Sequence, residues 1–166
     1  MGQHSSREAN KANQNGRRRR STTTLPVFVT GSPSNVEEKY NINVKPLGRG
    51  HYGVVRKCVS IETGETLALK TIRKARVSRL ATLNREIKIL QTVNHPNIIH
   101  LVDVFEDEKN LHLVTELCEG GELFDRIIEK TESEEGHYSE RDAALLVCKI
   151  LSAIAYCHDE HNISHR

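Results

Sequence analysis

Three glycines and one lysine constrain this chain more than anything else in it. Residues 47–55 run Leu47-Gly48-Arg49-Gly50-His51-Tyr52-Gly53-Val54-Val55, and Leu67-Ala68-Leu69-Lys70 places a lysine 17 residues after Gly53. Glycines at G-x-G-x-x-G spacing let a backbone lie close over phosphate groups, because no Cβ intervenes. The same spacing suits a dinucleotide-binding βαβ unit, so alone it decides little. That unit needs a helix directly after the glycines and an acidic residue about 20 positions further on. Here the glycines lead into Val54-Val55-Arg56-Lys57-Cys58-Val59, a β-branched, strand-like run. Glu62-Thr63-Gly64-Glu65 turns the chain, with glycine where a positive φ is cheap. A second strand, Thr66 to Ile72, then carries Lys70 back beneath the loop as a positive charge.

Strand, glycine loop, strand, turn and lysine-bearing strand resemble the phosphate cover of a protein kinase. His165-Arg166 match the first two residues of that family's H-R-D-L-x-x-x-N catalytic loop. The chain is most similar to serine/threonine kinases of the calcium/calmodulin-dependent group, especially calcium-dependent protein kinases, over about residues 38–166. The resemblance covers the N-terminal half of a kinase domain. It implies an α+β fold: a small lobe of five antiparallel strands plus helix C, then the first two helices of a truncated large lobe. It also implies transfer of the γ-phosphoryl of MgATP to Ser or Thr of protein substrates with basic residues near the acceptor. The family's catalytic Asp and its Mg²⁺ ligands fall after the H-R pair. The expectation is therefore that the 166-residue chain is inactive alone. The alternative is a membrane-tethered, non-catalytic module that binds nucleotide or a partner. No D-x-D-x-D-G loop occurs, so calcium control rests on the resemblance alone.

The small lobe is expected over residues 37–116. Tyr40-Asn41-Ile42-Asn43-Val44 alternates as a first strand and delivers Leu47 to the mouth of the glycine loop. Leu47, Val55 and Ala68 would form an apolar slot for a flat purine, Ala68 being small enough to leave it open. Plain strand packing explains Val55 and Ala68 equally well. By resemblance Arg49, His51, Tyr52 and Val54 complete the ATP-covering loop. After Lys70 the period changes: Leu80, Leu83, Ile87 and Leu90 recur at helical spacing. In this family a glutamate on that helix pairs with the strand lysine, and Glu86 stands in the matching Asn84-Arg85-Glu86-Ile87. A lysine alone is a mobile point charge, and a carboxylate partner fixes where its ammonium meets phosphate. A surface carboxylate paired with Arg85 or Lys88 is the plainer alternative for Glu86. Pro96 ends the helical region, Ile98-Ile99 opens a fourth strand, and Leu111-His112-Leu113-Val114 reads as a fifth.

Residues 117–166 would hold the hinge and the start of the large lobe. Thr115-Glu116-Leu117-Cys118-Glu119-Gly120-Gly121-Glu122-Leu123-Phe124 resembles the hinge and next helix of calcium/calmodulin-type kinases. The resemblance makes Thr115 the gatekeeper. It gives the backbone of Glu116 and Cys118 to the adenine edge, and Glu122 to the ribose or a substrate arginine. Glu122 also suits a helix N-terminus for electrostatic reasons. Ser139-Glu140-Arg141-Asp142 has capping-box spacing and opens a helix to about His158. That helix is apolar on nearly every side, which belongs in a core or leaves a sticky surface. His158, His161 and His165 match no standard metal spacing, so no metal site is assigned.

The net charge of +2 hides an asymmetry. In residues 1–20, six basic side chains face only Glu8, leaving +5, so the remaining residues sum to −3. The basic excess belongs to the tail, which argues against a nucleic-acid-binding domain. Residues 1–36 are polar and poor in large apolar groups before Leu25, the composition of a disordered tail. Met1-Gly2-Gln3-His4-Ser5-Ser6 fits a myristoylation signal at Gly2. One acyl chain binds a bilayer marginally, and Arg17–Arg20 would add attraction to an anionic leaflet. A solvated basic tail with a chance Gly2, or a nuclear-localisation-like cluster, is the alternative. Cys58, Cys118, Cys148 and Cys157 lack metal or disulfide spacing and fit a reducing cytosol. The localisation read from these features is cytoplasmic, with membrane association through the tail.

Overall fold

The computed structural model describes residues 35–50, 53–133 and 136–165. Gly2, Arg17–Arg20 and the rest of residues 1–34 lie outside the described residues, as do His51, Tyr52 and Arg166.

Five antiparallel strands form one sheet in the order β1-β2-β3-β5-β4. They are β1 (Tyr40–Arg49), β2 (Gly53–Ser60), β3 (Thr66–Arg73), β4 (Leu101–Glu106) and β5 (Asn110–Glu116). Period-two alternation divides β3 and β5 between the two faces of the sheet. On one face Leu67, Leu69 and Val114 pack with Tyr40, Cys58, Phe105 and Val36. On the other, Ile72, Leu111 and Leu113 pack with Ile87, Leu101 and Val104. Helix α1 (Leu80–Thr92) covers this second face with Leu83, Ile87 and Leu90, the stripe its sequence spacing predicts.

Two boundaries differ from the sequence reading. Val36 is buried in the first cluster, and the Asn35 side chain caps the 3₁₀ turn Val36–Glu38. Val36, read from the sequence as the last residue of the tail, is thus packed with Tyr40 in the lobe. Ile98-Ile99 do not open the fourth strand, which starts at Leu101, the partner of Thr115. Their β-branched side chains sit in the loop instead, with Ile99 half exposed.

Two helices follow the sheet, α2 (Leu123–Glu132) and α3 (Glu140–His161). Ser139 caps α3 by accepting a hydrogen bond from the Asp142 N–H at 3.1 Å. Asn162 ends it in the left-handed conformation, φ 52°, its N–H returning to the carbonyls of Cys157 and His158. Polar contacts join α3 to the loop after α1. The Asn94 N–H donates to the Tyr156 hydroxyl at 3.0 Å, and His95 Nε2 lies 3.1 Å from Ser152 Oγ.

Candidate functional site

The sheet face that packs α1 also carries the cleft. Ala68 stands opposite Thr115 across β3–β5, and Lys70 stands opposite both Val55 and Leu113. Directly opposed residues point to the same face, so these side chains converge. They line a cavity of about 510 Å³ together with Leu47, Gly48, Glu116, Leu117 and Cys118. Eight residues named from the sequence therefore meet in one cleft: Leu47, Gly48, Val55, Ala68, Lys70, Thr115, Glu116 and Cys118.

Four further residues complete the lining: Leu90, Ile99, Leu113 and Leu117. Leu113 shares a face with Thr115 two positions on, so strand alternation could have found it. Ile99 lies in a loop, where no periodicity points to it.

The glycines divide by what surrounds them. A Cβ on Gly53 would lie 1.8 Å from the carbonyl oxygen of Thr71, so the approach of β3 itself demands glycine there. A Cβ on Gly48 or Gly50 would meet nothing within 4 Å. The Gly50 N–H donates to the Gly53 carbonyl at 2.9 Å, where β1 ends and β2 begins.

Residues 115–118, the end of β5 and the two residues after it, line one side of the cleft. The Glu116 side chain is occupied: its Oε1 accepts the His100 N–H at 2.8 Å. Its carbonyl accepts the Thr115 hydroxyl at 3.2 Å. Among the described residues, neither the N–H nor the C=O of Cys118 has a hydrogen-bond partner. One donor and one acceptor, both unpaired, thus stand at the edge of an apolar slot. The Cys118 thiol is exposed, whereas burial pushes the Cys58 thiol up to about 11 and keeps it inert.

Lys70 also borders a second cavity of about 330 Å³, whose other walls include Ile72, Arg79, Thr82 and Glu86. Lys70 and Glu86 face this shared space, yet among the described residues they form no ion pair within 4.0 Å. Glu122 lies outside both linings, at the N-cap of α2, and its side chain makes no capping bond. Arg49 pairs with Val54 at the β1–β2 end, away from the cavity lining, and His165 follows α3. His161 bonds the Tyr156 hydroxyl at 2.9 Å. Among the described residues, no group of three or more His, Cys, Asp or Glu gathers into a metal site. Nor is any described helix long and apolar enough to cross a membrane.

The cleft can therefore take a flat apolar group with one polar edge and hold negative charge near Lys70. Comparison with known proteins points the same way. A model of the protein kinase domain matches residues 41–166. The chain is 43% identical over 132 residues to calcium-dependent protein kinase 5 of Plasmodium berghei, covering 80% of this chain and 22% of that protein. It is 43% identical over 148 residues to calcium-dependent protein kinase 14 of Arabidopsis thaliana, covering 86% of this chain and 27% of the relative. It is 53% identical over 125 residues to the calcium/calmodulin-dependent protein kinase cmkB of Emericella nidulans, covering 74% and 30%. The chain thus spans less than a third of the length of these relatives. Among solved structures, Rad53 1–466 in complex with AMP-PNP superposes with a TM-score of 0.66 at 31% identity, covering 79% of this chain and 33% of that one.

Proposed function

Because the chain belongs to the protein kinase domain family, we propose that its cleft binds ATP and that the protein is a serine/threonine kinase of the calcium/calmodulin-dependent group. One observation carries the reading. Residues from four separate stretches (47–48, 55, 68 with 70, and 115–118) line one cavity whose wall offers an unpaired backbone donor and acceptor. The purine would lie between Leu47, Val55 and Ala68 above and Leu117 beside it. Its polar edge would meet the backbone of Glu116 and Cys118. A backbone reader leaves the side chain free to vary, so the Cys118 sulfur is not required.

Lys70 supplies positive charge where the cavity passes beneath the glycine loop. Gly48 and Gly50 suit a phosphate cover, because a Cβ at either would project into open space that the protein does not fill. Glu86 borders the same space as Lys70, placed to restrain its ammonium once the two approach. Positioning and charge neutralisation make up nearly all of phosphoryl-transfer catalysis. Mg²⁺ accompanies ATP in this chemistry, bridging phosphate oxygens and offsetting their charge. Among the described residues no group of three or more His, Cys, Asp or Glu stands ready to hold it. Acidic residues at the hinge edge, Glu122 among them, suit substrates with basic residues near the acceptor.

Titrating a fluorescent ADP analogue into the 166-residue chain tests the cleft. Saturable binding displaced by ATP is expected, weakened about ten-fold or more in Lys70→Met and also lost in Ala68→Leu, which fills the slot. No saturable binding, or binding indifferent to both substitutions, would overturn the reading. We further propose that the protein is cytoplasmic and that Gly2 acylation with Arg17–Arg20 tethers it to anionic membranes. Gly2→Ala should then lose myristate labelling and leave the membrane fraction; a variant that stayed bound would refute the tether.

A further inference from the structure

Among the described residues, one ion pair crosses from the sheet to the segment that leaves it. Lys57 Nζ lies 2.6 Å from Glu119 Oε1, although the residues are 62 apart in sequence. Lys57, Ala68 and Thr115 occupy one row across β2, β3 and β5. Opposed residues point to one face, so Lys57 begins on the cleft side of the sheet and reaches down past the cavity rim. It meets Glu119 immediately after Cys118.

The next residues have a different character. Gly120 and Gly121 hold φ of 125° and 77°, a backbone region that few side chains allow. Gly120 is tied in the opposite direction: its carbonyl accepts the Arg126 Nε–H at 3.0 Å, from the first turns of α2. One residue is thus bonded to the sheet, and the next is bonded to α2. Freedom of rotation between the two parts falls between those anchors.

We propose that Glu119 is a positioning residue, whose bond to Lys57 keeps the adenine-reading segment Glu116–Cys118 with the sheet while α2 pivots about Gly120. The inference rests on the nucleotide reading of the cleft. Without the brace, the swivel would extend back into Cys118, and its N–H and C=O would lose register with Ala68 and Val55. Stability is not the purpose of the pair. Both partners are well exposed, and such pairs add little to folding.

The test combines Lys57→Glu, Glu119→Lys and the double swap in the 166-residue chain. Amide hydrogen exchange of Glu116, whose N–H donates to the His100 carbonyl at 3.1 Å, is read beside affinity for a fluorescent ADP analogue. Each single reversal should speed exchange at that amide about five-fold and weaken the analogue about three- to ten-fold, at unchanged thermal midpoint. The double swap should bring both back to within about two-fold of the original chain, since it restores the bond with its ends exchanged. Unchanged exchange in both single variants, or a swap that restores nothing, overturns the brace. A parallel fall in thermal midpoint would also overturn it, marking the pair as merely structural. If the unaltered chain binds no analogue, the nucleotide reading fails, and the brace then stands or falls on the exchange data alone.

Discussion

The sheet and the two helices after it are built on opposite balances of apolar burial. Every buried hydrophobic side chain among the described residues falls between Val36 and Val114. In α2 and α3 no residue is buried, and Phe124, Leu145 and Leu151 are all more than half exposed. Yet the α3 sequence is the more continuously apolar of the two regions. The difference lies in where partners come from. Strands β1 to β5 and α1 are joined by short connections and close two small cores on the sheet's two faces. Helix α3 is held to that lobe by polar groups around Tyr156 and Ser152 instead. Capping at Ser139 and Asn162 makes it a well-formed helix without making it a buried one.

Paired truncations would break this comparison most sharply. Phe105 is fully buried and meets the Tyr40 ring edge-on at 5.9 Å. Phe105→Ala should cost about 3–5 kcal/mol, read by native-state hydrogen exchange of the β3–β5 amides. Leu151→Ala, on the open side of α3, should stay within about 0.5 kcal/mol by the same measurement. Similar losses at the two sites would mean that α3 is covered in solution, for instance by another copy of the chain.

A smaller contrast lies within the glycine loop. Gly53→Ala drives a methyl group into the Thr71 carbonyl and should cost about 1–3 kcal/mol of stability. Gly48→Ala meets no protein atom, so thermal stability should hold within about 0.5 kcal/mol while affinity for the ADP analogue falls. The reverse pattern would assign Gly48 to the fold and Gly53 to the ligand.

That contrast also marks what could be read from the residues in order. The succession of strands along the chain, the α1 stripe at Leu83, Ile87 and Leu90, and the cap at Ser139 each follow from local periodicity or spacing. The convergence of Leu47, Ala68 and Cys118 was legible because a resemblance supplied the long-range pairing that periodicity lacks. What escaped was decided across distance. Nothing local ties Lys57 to Glu119, draws Ile99 toward the cleft, or distinguishes the reason for Gly53 from the reason for Gly48. Each depends on how closely two separately folded segments approach.

The smallest expected effect concerns the β4–β5 turn, and its sign can be worked out. Burial alone would raise the Asp107 carboxyl. Hydrogen bonds from His112, the Asn110 side chain and the backbone N–H groups of Lys109 and Asn110 outweigh it, holding the group well below the usual carboxylate range. His112 in turn lies 3.1 Å from Thr71 on β3, so the turn is bonded through to the sheet. A carboxyl lowered on folding binds fewer protons in the native chain than in the unfolded one. Its contribution is therefore complete above the unfolded value, near pH 4, and declines as pH falls below it. Because Asp107 is partly exposed, solvent screening keeps that contribution modest. Asp107→Asn should leave the sheet slightly less stable at neutral pH and flatten its loss of stability below about pH 4. The α3 amides should be indifferent to both changes in hydrogen exchange. Equal acid sensitivity in the variant and the original chain would place the titrating group elsewhere in the sheet.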